Sequence, residues 1–318
     1  MEKEKQRIDT IALERYLGSN QFTVPTGPIL ELQEKIQMWS SMNACGAIVY
    51  GKSRSGKTRS IYYITKKLKE IYGVQLPVYN YCATTHTVTE RSFYSSLLVA
   101  LEHQNAHKGS AVEMKERLVN RIIDDSLYTK YRGAILFIDE AYLLDEREYL
   151  WLIDIYNELN LHDIQLSVYL FGTVDLKLQK TGFIKTNKDQ IINRFMTQEY
   201  KFRGITSKKE LEIWMASIDK EFSFDDGETQ VILSKVYFPE AYRNNLGLVD
   251  YAKDLWDAFE AVKEKMHIDT DEFLMKHFMD TVLYCLKIYG AFGEKLYAPT
   301  QAEWEDSIIN IGFTQVFL

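Results

Sequence analysis

The apolar residues change their spacing along the chain, and the change falls near Gly204. Before it, short unbroken apolar runs alternate with segments whose apolar residues recur every three or four positions. Ala47-Ile48-Val49-Tyr50 and Ala134-Ile135-Leu136-Phe137-Ile138 are apolar throughout, the pattern of strands buried on both faces. Leu76–Tyr81, Gln165–Phe171 and Thr197–Phe202 complete five expected strands. Helical periodicity occupies 58–72, 92–101, 112–127 and 147–159 between them. A further helix is expected over 29–38, because Pro25 and Pro28 break helix just before it. After Gly204 the strands stop, and 207–218, 227–236, 245–266 and 271–290 read as helices.

Strands alternating with helices imply a parallel sheet covered on both faces. The expected fold is therefore an α/β core followed by an all-α domain. The expected divisions are an N-terminal segment over 1–44, the core over 45–203, the helical domain over 204–290 and a tail over 291–318. The tail carries Trp304 and ends on Val316-Phe317-Leu318. It can dock a partner or pack on the helices before it.

Length and composition narrow the class. A chain of 318 residues with 46% hydrophobic content has enough material for about two domains with real cores. No run approaches the roughly 20 apolar residues that span a bilayer, so no membrane is expected as a partner. The start, Met1 to Thr10, is charged and lacks an apolar signal region. Cys45, Cys82 and Cys285 are odd in number and far apart, which fits the reducing cytoplasm rather than a disulfide framework. A net charge of −7 argues against a coat on nucleic acid and leaves room only for a local basic groove.

Two segments carry chemistry. Gly51-Lys52-Ser53-Arg54-Ser55-Gly56-Lys57-Thr58 fits G-x-x-x-x-G-K-[ST], with a strand expected before it and a helix after it. Glycines let backbone amides curl round a polyphosphate, and the helix start adds positive potential. Lys57 can reach the terminal phosphates, Thr58 can hold Mg2+, and Arg59 follows in the first turn. Lys52 and Arg54 lie at undefined positions of the loop, as solvated charge or as contacts to a neighbour. The second segment is the apolar run ending in Asp139-Glu140, a Walker B arrangement. It puts Asp139 beside the Mg2+ shell and Glu140 where a general base can polarise water. Guanine readers use N-K-x-D, but Asn187-Lys188-Asp189 is followed by Gln190, so the expected nucleotide is ATP.

Together these residues resemble an AAA+ ATPase, and more narrowly the TniB/TnsC-type regulators of DNA transposition. The resemblance runs from Val24 to Gly204, through GAIVYGKSRSGKTRS, TERSFYSSLLVAL, ILFIDEAYLL, YLWLIDIYNEL and IINRFM followed by RGI. The P-loop and DEA text is general to many ATPases; the combination with the TERSFY and NRFM text narrows it. The resemblance implies an AAA+ P-loop core with a helical lid. It also implies ATP- and Mg2+-dependent assembly of a homo-oligomer, ring or filament, on double-stranded DNA, with contacts to a transposase and a target-selection protein.

Residue by residue, the resemblance gives Thr173 as a γ-phosphate sensor, or else a strand-ending turn. It gives Arg194 as an arginine finger acting on a neighbouring subunit, or else a surface arginine. Arg243 stands where a second sensor can sit, although EAYRNNLG departs from the usual Gly-x-x-Arg. DNA contacts fall on the segment after the second strand, with Thr84 and Thr85, and on a basic cluster with Lys115, Arg117 and Arg121. Helical spacing puts Arg117 and Arg121 on one face, which is a phosphate contact or a solvated surface. Thr89 is the N-cap of the next helix.

Other chemistry is missing from the sequence. His103 and His107 have no companions for a zinc site and read as helix surface, and Cys82 reads as a buried, inert strand end. A kinase of nucleosides or small molecules needs neither Glu140 nor Arg194. A signalling or defence ATPase acting on a protein partner shares every motif with the DNA-bound regulator, and that alternative stays open.

Overall fold

A computed structural model describes residues 10–19, 22–127, 129, 132–220, 222–224 and 229–316. It divides into two compact units. One comprises Ile29–Ser53 and Lys57–Phe202; the other takes the described residues up to Pro28, Arg54–Gly56 and everything from Arg203 onward. The first helix, α1 (Thr10–Gly18), goes with the second unit, and α2 (Gly27–Ser41) is sheet-packed from Ile29 on.

The sheet unit is built in sequence as β1 (Gly46–Tyr50), α3 (Lys57–Tyr72), β2 (Val78–Cys82), α4 (Glu90–Ala100), α5 (Ala111–Leu127), β3 (Gly133–Asp139), α6 (Glu146–Leu161), β4 (Gln165–Gly172), α7 (Val174–Lys185), α8 (Asp189–Phe195) and β5 (Gln198–Lys201). Its five strands are all parallel, in the order β2-β3-β4-β1-β5. The carboxyl ends of β1, β3 and β4 therefore meet at one edge, where ligands gather in open α/β sheets.

Period-two alternation divides the strand side chains between two cores. Ala47, Val49, Ile135, Phe137, Tyr169 and Phe171 face Ile29, Leu32, Ile36, Ile61 and Ile64 from α2 and α3. Ile48, Leu136, Ile138, Val168 and Leu170 face Phe93, Leu97, Leu118 and Leu152 from α4, α5 and α6. Burial on both faces is why β1 and β3 read as unbroken apolar runs.

The other unit holds α9 (Lys208–Ile218), β6 (Phe222–Phe224), β7 (Thr229–Val231), α10 (Leu233–Tyr237), α11 (Pro239–Arg243), α12 (Ala252–Lys265), α13 (Met275–Cys285) and α14 (Gln301–Asn310). The expectation of helices alone is corrected here. β6 and β7 pair antiparallel, and within the helix expected over 227–236, residues 229–231 form a strand and α10 follows, while 227 and 228 lie outside the described residues. Phe222 packs with Tyr16 and Phe22, so this hairpin is held by its aromatic contacts rather than by its own length. Trp304 is fully buried among Leu255, Phe259 and Ile308. The tail thus packs on its own unit; Phe317 and Leu318 lie outside the described residues. No helix among the described residues is long and apolar enough to cross a membrane.

Candidate nucleotide-binding site

The loop between β1 and α3 is shaped by local sterics. A Cβ on Gly51 would lie 2.1 Å from the Phe202 carbonyl oxygen, so only glycine fits as the chain leaves β1. Gly56 has φ +109° and Arg54 has φ +63°; the latter costs a side-chain-bearing residue roughly 1 kcal/mol. Lys57 opens α3 and is buried. Its ammonium donates to the carbonyls of Gly51 (3.0 Å) and Lys52 (2.7 Å). Burial pulls its pKa down, and the carboxylates of Glu140 and Asp139 pull it back up. Lys52, Ser53, Arg54 and Thr58 are exposed, Ser55 is buried, and Gly56 and Arg59 are half-buried.

The two motifs meet. Thr58 Oγ1 donates to Asp139 Oδ2 at 2.6 Å. Asp139 is the last residue of β3, and its other carboxylate oxygen accepts from the Glu140 amide at 3.0 Å. Glu140 turns the chain with φ +54°, and a single 3₁₀ turn, Ala141–Leu143, follows. Its Oε2 is buried without a hydrogen-bond partner, and the carboxylate lies beside the Tyr142 hydroxyl. A hydroxyl and a carboxylate in contact are the hard oxygen donors that Mg2+ takes, so the residues fit the metal the motif implies. Cys82, opposite Asp139 in register, is exposed. The expectation of a buried thiol is corrected: β2 is an edge strand, and its alternate residues Asn80 and Cys82 face outward.

Thr173 directly follows β4 and N-caps α7. Its Oγ1 accepts from the Asp175 amide (3.4 Å) and donates to the Asp175 carboxylate (2.7 Å). Arg194, on α8, is half-buried with its guanidinium 4.8 Å from the centre of the Tyr156 ring. Arg243 is the exposed last residue of α11 in the other unit.

The DNA candidates are not one cluster. Thr84 and Thr85 are exposed in the segment beyond the carboxyl end of β2. Arg121 sits toward the opposite end of that strand, bonded to Asp125, which also accepts from Tyr79. Lys115 pairs with Glu158 at 3.0 Å, and Arg117 donates to the carbonyls of Asn105 and Lys108. Thr89 does cap α4, in a reciprocal box with Ser92. His103 and His107 lie beyond α4 rather than on it, because the helix ends at Ala100 and Glu102 takes a positive φ. His107 contacts Ser95 at 2.8 Å.

Several side chains that bear on the site lie outside both sequence motifs. Glu148 is fully buried and caps α6 together with Asp145, a signal legible as Asp-x-x-Glu. Its Oε1 lies 3.3 Å from His86 Nε2, and burial raises its pKa. Tyr142 has its hydroxyl pKa raised by burial and then by the Glu140 carboxylate. Gln179 and Tyr149 hold the turn after Glu140, as described below, and carry no motif.

Residues 42–179 match the AAA domain family (AAA_22), and this stretch is an AAA-type ATPase domain. No curated protein matches the chain in sequence. Solved structures resemble it in fold. The ORC2 protein of Aeropyrum pernix, solved in ADPNP and ADP complexes, has TM-score 0.58 and 11% identity over 94% of this chain and 72% of its own. Domain III of the replication initiation protein DnaA from Thermotoga maritima has TM-score 0.50 and 12% identity, over 92% of this chain and 95% of its own. Drosophila ORC, solved bound to DNA, has TM-score 0.51 and 12% identity over 98% of this chain and 69% of its own. The α/β core with an appended helical part is thus an AAA+ architecture, and the protein is an ATPase.

Proposed function

We propose that this AAA-type ATPase is an ATP-driven switch that assembles on duplex DNA and regulates transposition, linking a target-selection protein to a transposase. The observation that carries the switch is the convergence of Lys57, Thr58, Asp139 and Glu140 at one loop. The DNA and transposition parts are supported by the TniB/TnsC-type resemblance from Val24 to Gly204. The DNA part is supported also by the fold shared with Drosophila ORC, which is known in a DNA-bound form.

Lys57 exchanges its two loop carbonyls for phosphate oxygens, which accept from a cation more strongly. Thr58 and Asp139 hold Mg2+, which when bound neutralises phosphate charge. Glu140 takes a proton from the water that attacks the γ-phosphorus, while the bond to the bridging oxygen breaks and ADP leaves. Thr173 reads the γ-phosphate, and Arg243 serves as second sensor. Arg194 reaches the site of a neighbouring copy, where a cation stabilises the transition state. ATP then favours the assembled form because only that form makes the inter-subunit contacts. Thr84 and Thr85 hold DNA phosphates without reading bases, and the whole cycle runs in the cytoplasm.

The test is electron microscopy with a slowly hydrolysed ATP analogue, with and without random duplex DNA. Rings or filaments that need both are expected, and Glu140→Gln should trap them with ATP while slowing turnover about 100-fold or more. Assembly indifferent to DNA would instead favour a signalling or defence ATPase with a protein partner. No assembly in any condition would refute the switch.

A further inference from the structure

The catalytic glutamate of the reading above stands on a turn with little structure of its own. Glu140 has a left-handed backbone, and two local bonds close the turn, from the Leu143 amide to the Glu140 carbonyl (2.9 Å) and from the Leu144 amide to the Ala141 carbonyl (3.1 Å). The carbonyls of Ala141, Tyr142 and Leu144 also accept from two side chains outside the turn, Tyr149 and Gln179. Gln179 Nε2 donates to Leu144 O at 2.6 Å and reaches Tyr142 O at 3.4 Å. Tyr149 Oη lies 3.2 Å from Ala141 O and 2.9 Å from Gln179 Oε1. Both of those oxygens can only accept, so the single tyrosine proton is shared between them. Tyr149 is fully buried on α6 and Gln179 is half-buried on α7. Three elements therefore meet at this pair: the turn after Glu140, α6 and α7.

The same helix α7 begins at Thr173, the candidate γ-phosphate sensor. Just before it, a Cβ on Gly172 would lie 3.2 Å from the ring of Tyr142 and 3.1 Å from Leu176. The Tyr142 ring thus rests on the β4–α7 junction at one end of the turn, while Gln179 grips the turn's carbonyls from the middle of α7. A displacement of α7 at its N-cap moves both supports of the turn.

We infer that Gln179 and Tyr149 are positioning residues for hydrolysis: they lock the turn bearing Glu140 to the helix that begins at Thr173, so that the base follows the sensor. This rests on the ATPase reading of Glu140. Neither residue touches the nucleotide loop in any bond described above, so their loss should alter the chemical step and leave nucleotide affinity alone.

The experiment measures kcat, KM and the affinity for a fluorescent ATP analogue on the full chain. Gln179→Leu keeps the bulk and removes the donors; kcat should fall about tenfold with affinity unchanged within twofold. Tyr149→Phe should lower kcat about threefold, and the double variant should be no slower than Gln179→Leu, because the pair acts as one unit. In a Glu140→Gln background, Gln179→Leu should have no further effect on turnover. That last result is one that general loosening of the domain would not produce. A Gln179→Leu protein with kcat within twofold of the parent overturns the inference. So does a variant whose affinity falls as much as its kcat, or one equally damaging in both backgrounds. If Gln179→Leu does not fold, Tyr149→Phe decides by the same criteria. Failure of the underlying reading looks different: the parent chain itself shows no ATP turnover with or without duplex DNA.

Discussion

The carboxyl edge of the sheet and the interior of the helical unit treat their polar groups differently. At the carboxyl edge of the sheet, Lys57, Thr58 and Asp139 each contact another protein group. Those bonds are of a kind that phosphate and metal can replace. In the helical unit both ring nitrogens of His277, Thr281 Oγ1 and Trp304 Nε1 are buried without a hydrogen-bond partner. Each such group costs about 1–3 kcal/mol. The His277 ring lies 5.0 Å from that of Phe313, in an aromatic cluster with Phe259, Phe273 and Phe278. The sheet edge keeps its polar groups exchangeable; the helical interior closes over them. Substitutions should accordingly alter ligand chemistry at the first and stability in the second.

The largest effect expected from this contrast is in the helical unit. Trp304→Ala should destabilise the fold by about 3–5 kcal/mol, with ATP affinity of the folded fraction unchanged; urea titration and analogue binding together check it. A loss of affinity without a loss of stability would erase the distinction. Next comes pH. Burial lowers the pKa of His277 from 6.5 to about 4. Below pH 6.5 the unfolded chain binds a proton that the folded chain refuses until about pH 4. Stability should therefore fall as pH drops through that window, by at most about 3 kcal/mol from this residue. The slope of unfolding free energy against pH should flatten in His277→Phe, and an unchanged slope would remove the residue from the account. The smallest stability change belongs to the sheet unit. Lys57→Ala should weaken ATP binding about 100-fold or more through lost charge-assisted bonds, while the urea midpoint barely moves.

The legibility of the chain follows the same division. The P-loop and Asp139-Glu140 are contiguous because phosphate and metal need several groups from one stretch of backbone, and contiguous chemistry can be read. So can β1 and β3, whose burial on both faces leaves no polar interruption. The exposure of Cys82 is not legible, because edge position, which exposes alternate residues of β2, is a property of strand order rather than of the segment. β6 and β7 are three residues each, too short to show a period, and the apolar spacing across 227–236 imitates a helix turn. Gln179 lies 35 residues from Leu144, whose carbonyl it holds. No periodicity or motif links two such positions; only the folded sheet does.

The close approach of Gly51 to Phe202 has a consequence for how the protein comes into being. β1 is made early, yet its two neighbours in the sheet, β4 and β5, are the last strands of the core to be synthesised. The wall against which the phosphate loop is moulded ends at residue 202. A growing chain therefore carries its full nucleotide motif through some 140 residues of synthesis before that motif has a shape, and its partners of high sequence separation make it slow to form. A fragment that ends before β5 is therefore expected to bind ATP more weakly than the complete core, however intact its signature.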